Sequence, residues 1–156
     1  MSSTIIPKTL IIVPAFNEEE AIEQTLSNLM NLKKELIGLD VCVINDGSID
    51  QTSKLAKKFA ITVIDLPFNL GIGSAVQTGY KYAYENDYEI AVQFDADGQH
   101  NEKDFLSMIQ PIIDSECDMV VGSRFFEKTD YKGSFMRRLG IYYFTFLLKI
   151  LTFPSL

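Results

Sequence analysis

The sequence predicts an α/β fold, a mostly parallel sheet with helices on both faces. Three observations predict it. Short apolar runs alternate regularly with helical patterns along the chain. The runs are nearly unbroken in Val, Ile and Leu, as strands covered on both faces require. The 156 residues are 47% hydrophobic and 22% charged, enough to bury the core of one domain and too apolar for a disordered chain.

Leu10-Ile-Ile-Val13 reads as the first buried strand. Asn17 stands where it would cap the next helix, which carries Ala21, Ile22, Leu26, Leu29 and Met30 on one face. Glu18, Glu19 and Glu20 fall in its first turn, where the helix dipole favours acids. Val41-Cys-Val-Ile44 is a second strand, Asn45-Asp-Gly-Ser48 a turn, and Asp50 a cap for a helix over 51–59. Ile61-Thr-Val-Ile64 is a third strand, and residues 72–85 form a helix after Gly71. Ile90-Ala-Val-Gln-Phe94 is a fourth strand, 102–114 a helix and Met119-Val-Val121 a fifth strand. No internal repeat, low-complexity tract or interdomain linker interrupts this order.

Charge divides the chain. Residues 1–122 hold 8 basic and 19 acidic residues; residues 123–156 hold 6 basic and 2 acidic ones, among them all three arginines, Arg124, Arg137 and Arg138. The net charge of −7 argues against a nucleic-acid binder, which needs a basic face. Cys42 and Cys117 sit in apolar runs and read as small core residues, which excludes a disulfide scaffold and fits a reduced cytoplasmic protein. The first eight residues lack the pattern of a signal peptide, and no uncharged segment reaches 18 residues.

In sheets of this class the ligand lies beyond the carboxyl ends of the strands. After the first strand stands Pro14-Ala-Phe-Asn-Glu18 in place of a G-x-G-x-x-G turn. Gly71-Ile-Gly73 lacks a third glycine at position 76, and no phosphate-binding G-x-x-x-x-G-K-[ST] occurs. NAD enzymes and P-loop ATPases are poor fits, as are serine and cysteine hydrolases. After the second strand, Asp46 is either a turn residue or an acceptor for a base or ribose. Phe94-Asp-Ala-Asp-Gly-Gln-His100 is the sharpest signal. Asp95 and Asp97, two residues apart at a strand end, repel each other unless a cation intervenes, and hard oxygen donors suit Mg²⁺ or Mn²⁺ bound together with substrate phosphates. The competing reading is an acidic loop before a helix; His100, the single histidine, reads as a cap or a hydrogen-bond partner and not as a ligand.

Together these pieces resemble the family-two glycosyltransferases of the GT-A, Rossmann-like fold. The matching segments are Ile12–Glu19, Val43–Ser48, Asn69–Ala75 with Gly79, Phe94–His100 and Val121–Phe125, in order across residues 10–125. Within that family the dolichyl- and polyprenyl-phosphate sugar synthases look most similar. The resemblance implies a metal-dependent, inverting transfer of sugar from a UDP- or GDP-sugar to a lipid phosphate or glycan acceptor. It implies that Pro14, Phe16, Glu18, Asp46 and Ala96 hold the nucleotide, and that Asp95 and Asp97 hold metal and diphosphate, with Gln99 as a further metal ligand. Arg124 would meet a phosphate, and Arg137 and Arg138 would face a membrane or a lipid acceptor. It also implies an acceptor segment beyond Leu156, so the chain reads as truncated.

The resemblance divides the chain into a nucleotide-sugar and metal-binding domain over 1–125 and a basic, apolar tail over 126–156. The apolar stretch from Leu139 to Phe153 is short of the roughly 20 residues that span a bilayer. It reads as a helix lying on the membrane surface, as a core helix or as an oligomer contact. Two further readings of the whole remain: a nucleotide- and metal-binding fragment without turnover, and a sugar-phosphate nucleotidyltransferase. The latter wants a glycine-rich basic loop where Pro14–Glu18 stands.

Overall fold

The computed structural model describes residues 4–95, 105–122 and Phe144. Eight elements follow in order: β1 (Thr4–Ala15), α1 (Ile22–Glu35), β2 (Leu36–Asn45), α2 (Thr52–Ala56), β3 (Thr62–Asp65), α3 (Ile72–Glu85), β4 (Ile90–Gln93) and α4 (Phe105–Ile113). The four strands form one parallel sheet in the order β3-β2-β1-β4. The chain steps outward from β1 to β3 and then crosses to the other side of β1 for β4. The order therefore reverses at β1, and a ligand crevice belongs beyond the carboxyl ends of β1 and β4.

Period-two alternation divides the strands between two apolar layers. Ile11, Val13, Val41, Val43 and Val92 pack with Ile22, Leu26 and Leu29 of α1, Ala56 of α2, and Phe105 and Ile109 of α4. Leu10, Ile12, Cys42 and Ile44 face the other way, against Ala75 and Ala83 of α3. Both faces of β1 are thus covered, and Leu10 to Val13 are all buried. Each such side chain contributes roughly 1.5–3 kcal/mol on leaving water. The spacing of Ile22, Leu26 and Leu29 is that of one helical face, which is why the sequence reveals α1.

Helix α3 reaches β1 closely because it carries Gly79: a Cβ there would press into Ile12 Cγ2, and Ile12 is fully buried. Cys42 is enclosed in the same layer, and burial pushes its thiol up to about 12.

Four expectations change. Asn17 does not cap α1: its backbone is left-handed (φ 55°), its side chain accepts from the Ile49 N–H, and a turn over residues 18–21 delays the helix to Ile22. Glu18–Glu20 accordingly precede the first turn, which holds Glu23. Met119–Val121 forms no strand; Met119 and Val121 are exposed, and among the described residues β4 is the edge of the sheet. An apolar run without a partner strand has nowhere to place its N–H and C=O groups. Cys117 is exposed, outside the core. Asp50 does accept from the Thr52 N–H, as a cap would, but α2 is only five residues long.

Two outcomes follow. Gly79→Ala is expected to destabilise by about 1–3 kcal/mol, because overpacking against Ile12 outweighs the roughly 1 kcal/mol of helix propensity gained; urea unfolding of the two proteins measures it. With a thiol-reactive dye the native protein is expected to modify rapidly at Cys117 alone, with Cys42 reacting only after unfolding.

Candidate functional site

A cleft of about 340 Å³ opens where the topology places it. Pro14, Ala15, Phe16 and Glu18 line it from the end of β1, Asp46 from the end of β2 and Asp95 from the end of β4. Asn69, Gly71, Ile72 and Ala75 close its side from the start of α3. Phe16 is 42% exposed on the cleft wall.

Asp46 is only 3% exposed, and its carboxylate ties the end of β2 to the start of α3. The Leu70 N–H donates to its Oδ1 and the Gly71 N–H to its Oδ2, each at 2.8 Å. Gly47 follows with φ 68°, and a Cβ there would lie 2.5 Å from the Phe68 carbonyl carbon, so the turn admits only glycine. The turn reading of Asp46 is thus met by its bonds to the 70–71 backbone, and the residue also lines the cleft. Both oxygens brace the loop that leads into α3.

Behind the cleft, Asp65 at the end of β3 accepts from Asn45 Nδ2 at 2.8 Å, Ser53 Oγ at 2.7 Å and the Lys57 ammonium. Burial alone would raise its carboxyl, but the Lys57, Ser53 and Asn45 bonds outweigh burial and leave it below the ordinary range. Asp50 behaves alike: burial opposes ionisation, and bonds from the Thr52 hydroxyl, the Thr52 N–H and the Glu19 N–H overcome it. Both are structural anions that stay charged at neutral pH.

Asp95 lies at the cleft with Gln93 Nε2 donating to its Oδ1 at 3.1 Å. Of the residues expected to form the site, the structure brings together Pro14, Phe16, Glu18, Asp46 and Asp95. Ala96, Asp97, Gln99, Arg124, Arg137 and Arg138 lie outside the described residues. Among the described residues no three His, Cys, Asp or Glu side chains are grouped to hold a metal. The Asp95 carboxylate is nevertheless a hard oxygen donor on the cleft wall, the chemistry that Mg²⁺ or Mn²⁺ takes. No helix among the described residues is long and apolar enough to cross a membrane.

Sequence reasoning gave no role to Asn69, Gly71, Ile72 or Ala75, although their position between β3 and a helix start was the available signal. It also missed Ser48 and Thr52, whose contacts depend on a loop more than thirty residues away.

The model of glycosyl transferase family 2 matches residues 10–155. An uncharacterised protein of Methanocaldococcus jannaschii is 40% identical over 138 residues, covering 88% of this chain and 55% of its own length. A UDP-N-acetylglucosamine–dolichyl-phosphate N-acetylglucosaminyltransferase of Methanococcus voltae is 35% identical, covering 88% of this chain and 62% of its own. A mannosyltransferase of Pyrobaculum calidifontis, solved with GDP-Man and Mn²⁺, superposes with a TM-score of 0.56 at 28% identity. The match covers 65% of this chain and 30% of that one. The chain thus spans little more than half the length of these two curated relatives.

Asp46→Ala removes two hydrogen bonds to a buried carboxylate, each worth roughly 1.5–3 kcal/mol, so a loss of about 3–6 kcal/mol is expected. Urea unfolding without ligand checks this; a loss below about 0.5 kcal/mol would show that the brace carries no weight.

Proposed function

The chain belongs to glycosyl transferase family 2, and from that premise we propose that it is the donor-binding part of a glycosyltransferase. Its substrate is a nucleotide-diphosphate sugar, with UDP or GDP as the nucleotide, and its acceptor is a polyprenyl or dolichyl phosphate. The single observation that carries this reading is the cleft at the reversal of strand order, where Phe16, Glu18, Asp46 and Asp95 meet. The names of the relatives support the substrate classes: one transfers to dolichyl phosphate, and another holds GDP-Man with Mn²⁺.

In this reading Pro14 and Phe16 pack against the base and ribose. Glu18 and Asp46 accept hydrogen bonds from base or ribose groups, with Ala96 beside the nucleotide. Asp95, with Asp97 and Gln99, would hold Mg²⁺ or Mn²⁺, which when bound neutralises the diphosphate as it leaves. Glu18, Asp46 and Asp95 make the empty cleft repel a free diphosphate, so binding of nucleotide depends on the cation. Arg124 meets a phosphate. The acceptor oxygen of a lipid phosphate is already anionic, so the transfer, with inversion at the sugar carbon, needs no general base.

The proposed division is a nucleotide-sugar and metal-binding domain over 1–125 and a basic, apolar tail over 126–156. Arg137 and Arg138 face anionic headgroups on the cytoplasmic membrane surface, where each contributes about 1 kcal/mol. Contact with a second copy of the chain is the competing assignment for that tail. Because the chain spans only 55% and 62% of the first two relatives, nucleotide and metal binding without turnover is the second reading. Assay of sugar transfer to a polyprenyl phosphate separates the two.

A thermal-shift panel of UDP, GDP, UDP-glucose, UDP-N-acetylglucosamine and GDP-mannose tests the binding. One nucleotide series is expected to stabilise by about 2.7 kcal/mol at 100 times its dissociation constant, only with Mg²⁺ or Mn²⁺ present. Asp97→Asn is expected to remove that part while leaving the ligand-free stability unchanged. Equal stabilisation in EDTA would refute the metal assignment.

A further inference from the structure

Three consecutive backbone N–H groups of the loop after β1 donate to side chains of the loop after β2. Asn17 donates to Ser48 Oγ at 3.0 Å, Glu18 to Thr52 Oγ1 at 2.8 Å and Glu19 to Asp50 Oδ2 at 3.2 Å. Two bonds return: the Ile49 N–H donates to Asn17 Oδ1 and the Gln51 N–H to Glu19 Oε2, each at 3.0 Å. Thr52 is the hub. It is fully buried, and its hydroxyl accepts from Glu18 while donating to Asp50 Oδ1. Asp50 Oδ1 also accepts the Thr52 N–H at 2.9 Å, which fixes the carboxylate that holds Glu19.

The arrangement exceeds what a loop needs to exist. Asn17 takes a left-handed backbone, which Asn tolerates better than most non-glycine residues, and five hydrogen bonds between the two loops hold the 17–19 segment there. The residues flanking Asn17 are Phe16 and Glu18, both on the cleft wall. A small rotation of the 17–19 backbone would move both side chains relative to Asp46 and Asp95.

We propose that Ser48, Asp50 and Thr52 are positioning residues of the cleft: through the Asn17–Glu19 backbone they set where Phe16 and Glu18 stand. This rests on the reading of the cleft as a nucleotide-sugar site. None of the three touches the ligand in this account. Their effect passes through the loop, with Thr52 coupling two of the three N–H bonds.

The test uses the 156-residue chain and three variants. Thr52→Val keeps the shape and removes the hydroxyl, Thr52→Ser keeps the hydroxyl, and Ser48→Ala removes one outer bond should Thr52→Val fail to fold. Amide hydrogen exchange and the affinities for UDP and GDP with MnCl₂ are measured on each. In Thr52→Val, exchange at residues 17–19 is expected to rise about tenfold, while strand amides of residues 10–13 and 41–44 stay unchanged. Affinity for whichever nucleotide binds should fall about tenfold, with Thr52→Ser within about threefold of wild type and Ser48→Ala between them. Unchanged exchange at 17–19, or raised exchange with unchanged affinity, overturns the proposal. A wild-type chain that binds neither UDP nor GDP overturns the nucleotide reading instead. The exchange rates then decide the clamp alone, a rise confined to 17–19 upholding it.

Discussion

The cleft depends on β1 being paired along both edges and covered on both faces. Its neighbours β2 and β4 run parallel to it, and α1 and α3 close over opposite sides. A strand in that position has no route to water for its N–H and C=O groups except at its ends. Leu10 to Val13 supply the apolar run that such burial demands, and Pro14–Ala15 mark where the strand emerges. Every residue assigned to the cleft is placed relative to that point.

Beyond the strand tips, backbone groups find side-chain partners instead of ladder partners. The Asp46 carboxylate takes the N–H groups that open α3, and Asn45 ties Asp65 to the β2 tip. The loop after β1 hands three N–H groups to the loop after β2. Such bonds contribute about 1 kcal/mol each when neutral and more when the acceptor is charged. Their main effect is on order: loops that would otherwise sample many conformations are held in one, which lowers the entropy lost when a ligand binds.

The lining of the cleft is part acidic and part apolar. Glu18, Asp46 and Asp95 place three carboxyl groups around one opening, and no lysine or arginine among the described residues lines it. Asp46 is braced by two backbone N–H groups, and Gln93 Nε2 donates to Asp95 Oδ1. The proposed nucleotide would meet this acidic lining together with a divalent cation, for which carboxylate oxygens are suited donors. The exposed ring of Phe16 and the neighbouring Pro14 and Ile72 supply an apolar wall on which a planar group can rest.

The sequence by itself determined the α/β class, the four described strands, the start of α3 after Gly71 and the strand-end acids Asp46 and Asp95, because these rest on local signals: apolar runs, a 3.6-residue period and polar residues at strand ends. Pro14, Phe16 and Glu18 are named only through the resemblance to a family. It could not determine strand order. Parallel pairing joins residues far apart, and only the packed sheet puts β4 beside β1 and so opens the crevice there. Asn17 looked like a cap because its type suits one, and tertiary structure instead gave its side chain to Ile49, more than thirty residues on. Met119–Val121 looked like a strand because it is apolar, yet a strand exists only where a neighbour accepts its hydrogen bonds. Asp46 was visible as a strand-end acid, but its brace to Leu70 and Gly71 appears only once β2 and the start of α3 are brought together. Local chemistry names the residues; the partners they take are fixed by contacts across the fold.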